Sequence, residues 1–155
     1  MTKIKFCGLT RAEDAAFAGE LGAAYLGVVF AEGPRALDAA RAARVLDGCS
    51  GSAERVGVFA RMRPDEIARI AAVARLDVVQ MHADPSAADV AAVRQRSGVK
   101  LWAVVRVTDA LPPEIDELFD AADAVRALTG VPRTERRAGV VRGGEPTNRA
   151  ASSND

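Results

Sequence analysis

Cys7 is the residue of this sequence whose surroundings best suit catalysis. It ends a short strand-like stretch at residues 3–7, and Gly8 then interrupts the strand before a helix that begins near Ala12. In parallel α/β folds, the turn from a strand into the next helix lies at the edge of the sheet where active sites occur. A thiol there can act as a general base, because a nearby cation or helix N-terminus lowers the pKa of cysteine. The alternative is a buried cysteine that only packs as a small apolar residue.

Few other side chains of the 155-residue sequence suit metal binding. His82 is the single histidine, and Cys49 is the only other cysteine. Their positions lack the spacing of zinc ligands, so we predict no metal site and two reduced thiols. Reduced thiols, with no signal peptide and no long apolar run, predict a cytoplasmic protein without membrane contact. A formal net charge of zero gives no reason to expect a nucleic-acid partner.

The elements that must position Cys7 form a regular alternation. Apolar strand-like runs begin near residues 3, 24, 55, 77, 99 and 122, and helix-like segments separate them. This spacing is typical of βα units and predicts a parallel sheet covered by helices. The pattern alone fits either a closed barrel or an open doubly wound sheet. The open sheet is disfavoured, since no G-x-G-x-x-G motif follows the first strand and no Walker-type phosphate loop occurs.

The sequence changes character after Val125. Residues 126–155 contain six arginines, four glycines and two prolines, and they include no aromatic residue. Such a segment buries too little apolar surface to offset the entropy lost on ordering. We therefore predict a folded domain over residues 1–125 and a disordered tail over residues 126–155. A basic arm that binds nucleic acid is disfavoured, because the segment has no lysine and no interleaved aromatic residues.

Five motifs occur in the order in which they are found in one enzyme family. They are K-F-C-G-L-T at residues 5–10, G-V-V-F at 27–30, G-P-R at 33–35, V-G-V-F at 56–59 and V-Q-M-H at 79–82. Over about residues 3–125 the chain thereby resembles phosphoribosylanthranilate isomerase, an enzyme of tryptophan biosynthesis built on a (βα)8 TIM barrel. The resemblance implies an α/β fold that comprises five to six βα units of such a barrel.

The resemblance also implies an activity. The family catalyses an Amadori rearrangement of N-(5-phosphoribosyl)anthranilate to a carboxyphenylamino-deoxyribulose phosphate. A general acid protonates the furanose ring oxygen, the ring opens to a Schiff base, and a general base removes the C2′ proton. This chemistry implies a small phosphosugar substrate and neither metal nor cofactor. In the family the cysteine that matches Cys7 is the base, and a thiol suits this role because its surroundings can bring its pKa near neutral.

Three further residues receive roles from the resemblance. Arg35 follows the second strand in the loop where the family has an arginine near the anthranilate carboxylate, which a guanidinium can bind in bidentate fashion. Gln80 and His82 match the Gln-apolar-His motif at the end of strand four. Strand alternation places both on one face, so they are predicted to line the substrate pocket. The alternatives are a solvated arginine and a polar pair that only satisfies its own hydrogen bonds.

The chain departs from the family at strand six. In the family this strand ends with an aspartate that acts as the general acid, whereas residues 124–130 here read A-V-R-A-L-T-G and Asp123 comes too early. The phosphate site of such barrels uses backbone amides after strands seven and eight, for which the last thirty residues are too few. A partial barrel also leaves exposed sheet edges, which predict self-association.

These departures leave three interpretations of function. The first is a phosphoribosylanthranilate isomerase whose activity is weakened by the missing acid and phosphate site. The second is an inactive partial barrel that binds an anthranilate-like carboxylate or a complementary barrel fragment. The third is another phosphosugar-binding βα barrel, which would be favoured if Arg35 and Cys7 lay at opposite ends of the sheet.

Overall fold

The computed structural model describes residues 2–49, 51–107 and 110–129. Within them, strands and helices alternate as predicted. In chain order the elements are β1 (Lys5–Cys7), α1 (Ala12–Glu20), β2 (Tyr25–Val29), α2 (Ala39–Asp47), β3 (Glu54–Phe59), α3 (Pro64–Val73), β4 (Val78–His82), α4 (Ala87–Ser97), β5 (Lys100–Val107), α5 (Ile115–Ala121) and β6 (Ala124–Thr129). This alternation confirms the predicted α/β class.

The order of the strands decides between the two predicted architectures. Each strand pairs in parallel with the strand before it, from β1 through β6. A doubly wound sheet reverses its order at a switch point, whereas a barrel does not. The sheet is also curled, because the rings of Tyr25 on β2 and Trp102 on β5 have centroids only 4.8 Å apart although two strands separate them. The described chain is therefore part of a TIM barrel, as predicted.

The main core lies between the outer face of the sheet and the helices. Alternation along β4 sends Val79 and Met81 toward this core, and the helices contribute Ile67, Val90 and other buried residues. A smaller cluster of Val56, Val78 and Trp102 fills the inner face of the sheet, which is the barrel interior. Separate packing of the two faces explains why the strands are apolar almost throughout.

Two aromatic residues, Phe59 and Trp102, are buried on opposite faces of the sheet. Phe59 is fully buried and stacks on Phe30 in the helix-facing core, with ring centroids 4.7 Å apart. Trp102 is buried in the barrel interior, where its ring meets that of Tyr25 edge-on. Both therefore pack as core residues.

The last described strand extends beyond the predicted domain boundary at residue 125. β6 pairs with β5 from Ala124 opposite Trp102 to Thr129 opposite Val107. Residues 126–129 thus belong to the barrel, because the long strand β5 offers backbone partners that do not depend on side-chain composition. The rest of the predicted tail, residues 130–155, lies outside the described residues.

The two outer strands of the described sheet, β1 and β6, each pair with one neighbour. Large apolar side chains are exposed beside both of them: Ile4, Phe6 and Phe17 near β1, and Phe119 and Leu128 near β6. In the described part of the chain, none of the helices has the length and apolar character needed to cross a bilayer.

Candidate active site

The site is built from side chains that face the barrel interior at the C-terminal ends of the strands. Cys7 ends β1 and His82 ends β4, and Lys5 and Gln80 occupy the next inward-facing positions of the same strands. The Nζ of Lys5 donates a hydrogen bond to Oε1 of Gln80 over 2.5 Å. Because β2 and β3 lie between β1 and β4, this bond crosses the concave interior and fixes the two strands relative to each other.

One cavity of about 460 Å³ brings the predicted site residues together. It is lined by Cys7, Gly8, Val29, Ala31, Glu32, Gly33, Pro34, Arg35, Ala36, Val58, Gln80 and His82. All four residues singled out by sequence, Cys7, Arg35, Gln80 and His82, are among them. Cys7 is exposed rather than buried, so it is not the packing cysteine of the alternative interpretation. Arg35 and Cys7 also share one end of the sheet, which disfavours an unrelated phosphosugar barrel.

The loop after β2 brings Arg35 to the cavity. It folds back so that Ala36 forms a bridge with Val29, the last residue of β2. The guanidinium of Arg35 then lies against Gly8, where an added Cβ would come within 2.7 Å of Nη1. Gly8 has a φ of +81°, a conformation that glycine adopts readily and other residues rarely do. The turn after β1 therefore depends on glycine for both its conformation and its space.

A second glycine makes room for the side chains of β1. Gly27 lies opposite Cys7 in the parallel register of β1 and β2. A Cβ at Gly27 would come within 3.1 Å of both the Sγ of Cys7 and the Cε of Lys5. Both side chains thus lie side by side across the bare backbone of Gly27.

The electrostatics of the site centre on Lys5. Burial lowers the pKa of this lysine below its ordinary value. The Cys7 sulfur opposes that effect, because attraction and hydrogen bonding to it raise the pKa of Lys5, while the nearby cation Arg126 lowers it further. The Lys5 ammonium also lies 5.7 Å from the ring centroid of Trp102. A half-buried cation and an exposed thiol are therefore neighbours on the inner face of β1.

Comparison with known proteins identifies the family. The family model described as N-(5'phosphoribosyl)anthranilate (PRA) isomerase matches residues 4–128. This chain belongs to that family. The isomerase of Rubrobacter xylanophilus is 39% identical over 124 residues, which are 79% of this chain and 60% of the relative. The Bacillus subtilis enzyme is 32% identical over 120 residues, or 77% of this chain and 56% of the relative. The chain thus spans little more than half the length of these curated isomerases.

Solved structures of the family have the same fold. Phosphoribosyl anthranilate isomerase from Thermus thermophilus superposes with a TM-score of 0.71 at 31% identity, covering 81% of this chain and 62% of that one. A second isomerase structure contains reduced 1-(o-carboxyphenylamino)-1-deoxyribulose 5-phosphate, and it superposes with a TM-score of 0.68 at 25% identity. That pair covers 83% of this chain and 66% of the other.

In the part of this isomerase-family chain that the structure describes, no carboxylic acid lies on the inner face of β6. Arg126 faces the interior, with its guanidinium 5.1 Å from the ring centroid of Trp102. Alternation then also places Ala124 and Leu128 inward. Among the described residues of β6, the inward-facing positions are therefore an alanine, an arginine and a leucine. This agrees with the departure seen in the sequence.

Asp123 has a structural role at the opposite end of the sheet. Its Oδ2 accepts hydrogen bonds from the backbone N–H of Leu101 over 2.7 Å and from Arg94 over 2.8 Å. Partial burial raises the pKa of Asp123, but these hydrogen bonds together outweigh burial and keep the pKa below its ordinary value. An ionised carboxylate that joins β5, α4 and β6 at their far end is not a proton donor for the Cys7 cavity.

Sequence reasoning left Lys5 and Arg126 without a role. The strand alternation that places Gln80 and His82 on one face also predicts that Lys5 shares a face with Cys7, because Lys5 lies two residues before it. Arg126 was assigned to the tail by its arginine-rich surroundings. Its inward position follows only from the ladder between β5 and β6, which composition does not reveal.

Proposed function

We propose that this chain is a phosphoribosylanthranilate isomerase of tryptophan biosynthesis in which Cys7 is the catalytic base. The observation that carries the proposal is the cavity in which Cys7 and Arg35 lie together at the C-terminal ends of the strands. Membership of the isomerase family supports the same activity. The substrate we propose is N-(5-phosphoribosyl)anthranilate, a small molecule with a carboxylate at one end and a phosphate at the other.

The proposed reaction begins with protonation of the furanose ring oxygen by a general acid. The C1′–O bond then breaks, and the anilino nitrogen supplies the electron pair that forms the Schiff base. The Cys7 thiolate takes the proton from C2′, and the electrons of that C–H bond move toward the iminium nitrogen to give an enolamine. Tautomerisation of the enolamine gives the ketone. The step is internal to the substrate, so it needs neither metal nor cofactor.

Arg35 is the proposed ligand of the anthranilate carboxylate. Its guanidinium lies against Gly8, beside Cys7, so that a bound carboxylate would hold the sugar carbons close to the sulfur. Gln80 and His82 line the same cavity from β4 and are proposed to contact the substrate. His82 is exposed and Gln80 is buried, so His82 would meet the ligand first.

A second function is supported by the composition of β6. The inward-facing residues of its described part include no general acid, and loss of such a group commonly lowers the rate by about 10²–10⁴-fold. Under this alternative, the chain binds an anthranilate-like carboxylate or a complementary barrel fragment without turnover.

We further propose a cytoplasmic location, and self-association through the edges of β1 and β6, where Phe6 and Leu128 are exposed. Fractionation and sedimentation velocity test these two points.

The function is tested by following the loss of fluorescence of freshly prepared phosphoribosylanthranilate. Cys7→Ala removes the proposed base, and Cys49→Ala is its matched control, since Cys49 lies just after α2 and away from the cavity. Turnover that C7A abolishes and C49A preserves supports the isomerase.

Calorimetric titration with the reduced product analogue separates the two candidates when turnover is absent. Binding that depends on Arg35, without turnover, supports the inactive partial barrel. A folded chain that shows neither turnover nor binding overturns both proposals.

A further inference from the structure

Lys5 is the cation that shares the inner face of β1 with Cys7. The two residues are two positions apart, so both side chains leave the strand on the same side. Both also lie within about a van der Waals contact of the same point above Gly27, as the 3.1 Å approaches to its added Cβ show. The positions of Lys5 and Cys7 on the strand therefore bring the lysine side chain and the thiol together.

Lys5 is anchored in the barrel interior by groups from other strands. Its Nζ donates to the Oε1 of Gln80 on β4 and lies over the ring of Trp102 on β5. These contacts hold a half-buried ammonium below the cavity that Cys7 lines. A half-buried cation attracts an adjacent anion more strongly than an exposed one does, because water screens it less.

Other charged or titratable groups line the same cavity or lie near Lys5. Arg35 and Glu32 belong to the loop after β2, and the Arg35 guanidinium rests on Gly8 at the mouth of the cavity. His82 is exposed at the end of β4, and Arg126 stacks on Trp102. Lys5 is distinguished by lying next to Cys7 on the same strand face while being fixed by Gln80.

We propose that Lys5 is the positioning residue of Cys7, with its Gln80-anchored ammonium stabilising the thiolate and fixing the sulfur toward the cavity. The inference rests on the proposed role of Cys7 as the base. Lys5 touches neither the substrate nor the transferred proton: the sulfur receives the C2′ proton, and the ammonium keeps its own protons throughout. Gln80 then serves through its carbonyl oxygen as the anchor of Lys5, a role that the sequence did not predict.

The test measures Cys7 itself rather than turnover. In a Cys49→Ala background, the rate of alkylation by iodoacetamide is followed from pH 5 to pH 10, because only the thiolate reacts. Lys5→Met removes the charge and keeps most of the apolar stem, and Lys5→Arg keeps a charge. Lys3→Met is the matched control, since Lys3 lies on the same face but contacts Tyr25 instead.

We expect Lys5→Met to slow alkylation at pH 7 about tenfold and to move the profile toward higher pH. Lys5→Arg should recover most of the rate, and Lys3→Met should match the parent. An unchanged profile in a Lys5→Met variant whose circular dichroism and unfolding curve match the parent overturns the inference.

Isomerase assays of the same variants distinguish this inference from the proposed function. A shifted alkylation profile with no Cys7-dependent turnover supports the role of Lys5 while refuting the isomerase. Cys7-dependent turnover with an unshifted profile supports the isomerase and refutes the role of Lys5.

Discussion

The guanidinium of Arg35 lies against Gly8, so the proposed carboxylate ligand rests on the residue that follows the proposed base. An added Cβ at Gly8 would be 2.7 Å from Nη1 and 3.0 Å from Cδ of Arg35. The contact joins the turn after β1 to the loop after β2. It therefore sets the separation between the proposed carboxylate ligand and the proposed base.

Gly8→Ala tests this contact. The new methyl group must displace Arg35, and the φ of +81° adds backbone strain of about 1–2 kcal/mol. We expect weaker binding of the reduced product analogue by about tenfold or more, together with a lower free energy of unfolding. Titration calorimetry and urea unfolding measure the two effects.

Gly22→Ala is the matched control for Gly8→Ala. Gly22 has a φ of +78°, but nothing lies within 4 Å of its added Cβ. Gly22→Ala should therefore lower stability by a similar amount and leave binding unchanged. Equal binding by the two variants would mean that the Arg35–Gly8 contact has no role in the site.

Arg35→Lys should weaken binding without disturbing the fold. Lysine keeps the charge but loses the planar pair of donors that matches a carboxylate, and hydrogen bonds to charged groups contribute about 1.5–3 kcal/mol. We expect the Kd for the reduced product analogue to rise about 10- to 100-fold. Arg61→Lys, in the loop after β3 outside this cavity, is the control. Similar losses in both variants would contradict a specific role for Arg35.

Ser86→Ala should destabilise the helix that follows β4. Ser86 and Asp89 form a reciprocal capping box, in which the Ser86 Oγ accepts from the Asp89 N–H over 3.1 Å. Loss of such a cap costs about 1 kcal/mol of the free energy of unfolding. Ser97→Ala, at the other end of α4, removes only a bond to Val93 within the helix. If both variants unfold at the same urea midpoint, the cap is not a source of stability.

Asp123→Asn should destabilise the chain in a pH-dependent way. The pKa of Asp123 is lower in the folded chain than its ordinary value. Its stabilising effect is therefore complete above the unfolded pKa of about 3.9 and is lost as the pH falls through the folded pKa. We expect the parent to be more stable than D123N at pH 7 and the difference to shrink as the pH falls below the unfolded pKa and through the folded one. Urea unfolding over a series of pH values from neutral to acidic measures the difference, and a constant difference would refute the assignment.

The fold was predictable because its signal is repeated along the chain. Each of the first five apolar runs is followed by a turn and a helix start, such as Pro64 for α3 and Ser86 for α4, and the structure has helices at both places. Curling of the sheet was not predictable from the pattern. It depends on contacts between distant strands, such as that of Tyr25 with Trp102.

The site was predictable in part. Gln80 and His82 share a face because strands alternate, which is a local rule, whereas Arg35 reaches Cys7 only through a loop whose path the sequence does not encode locally. Arg35 was predicted as a site residue only because the chain resembles the isomerases. Lys5 was missed as a site residue although the local rule applies to it, because the K-F-C-G-L-T motif that it begins was interpreted only for Cys7.

Leu128→Asp tests whether the absence of a general acid on β6 limits turnover. Leu128 is the inward-facing residue nearest the C-terminal end of β6, opposite Arg106 in the register with β5. A carboxyl group there would stand at the end of strand six, where the family has its acid. We expect turnover of phosphoribosylanthranilate to rise by about 10²-fold over the parent. Because the arginines at positions 106 and 126 favour the ionised carboxylate, the gain should be larger at pH 5.5 than at pH 8.

Ala127→Asp is the matched control for Leu128→Asp, because strand alternation places residue 127 on the opposite face of β6. It introduces the same charge one position earlier and should leave turnover at the parental value. The double variant Cys7→Ala, Leu128→Asp should lose the gain, since an acid without a base completes only half of the proton transfer. A gain that survives the loss of Cys7, or one that Ala127→Asp reproduces, would show that the new carboxylate acts by some route other than the proposed acid–base pair.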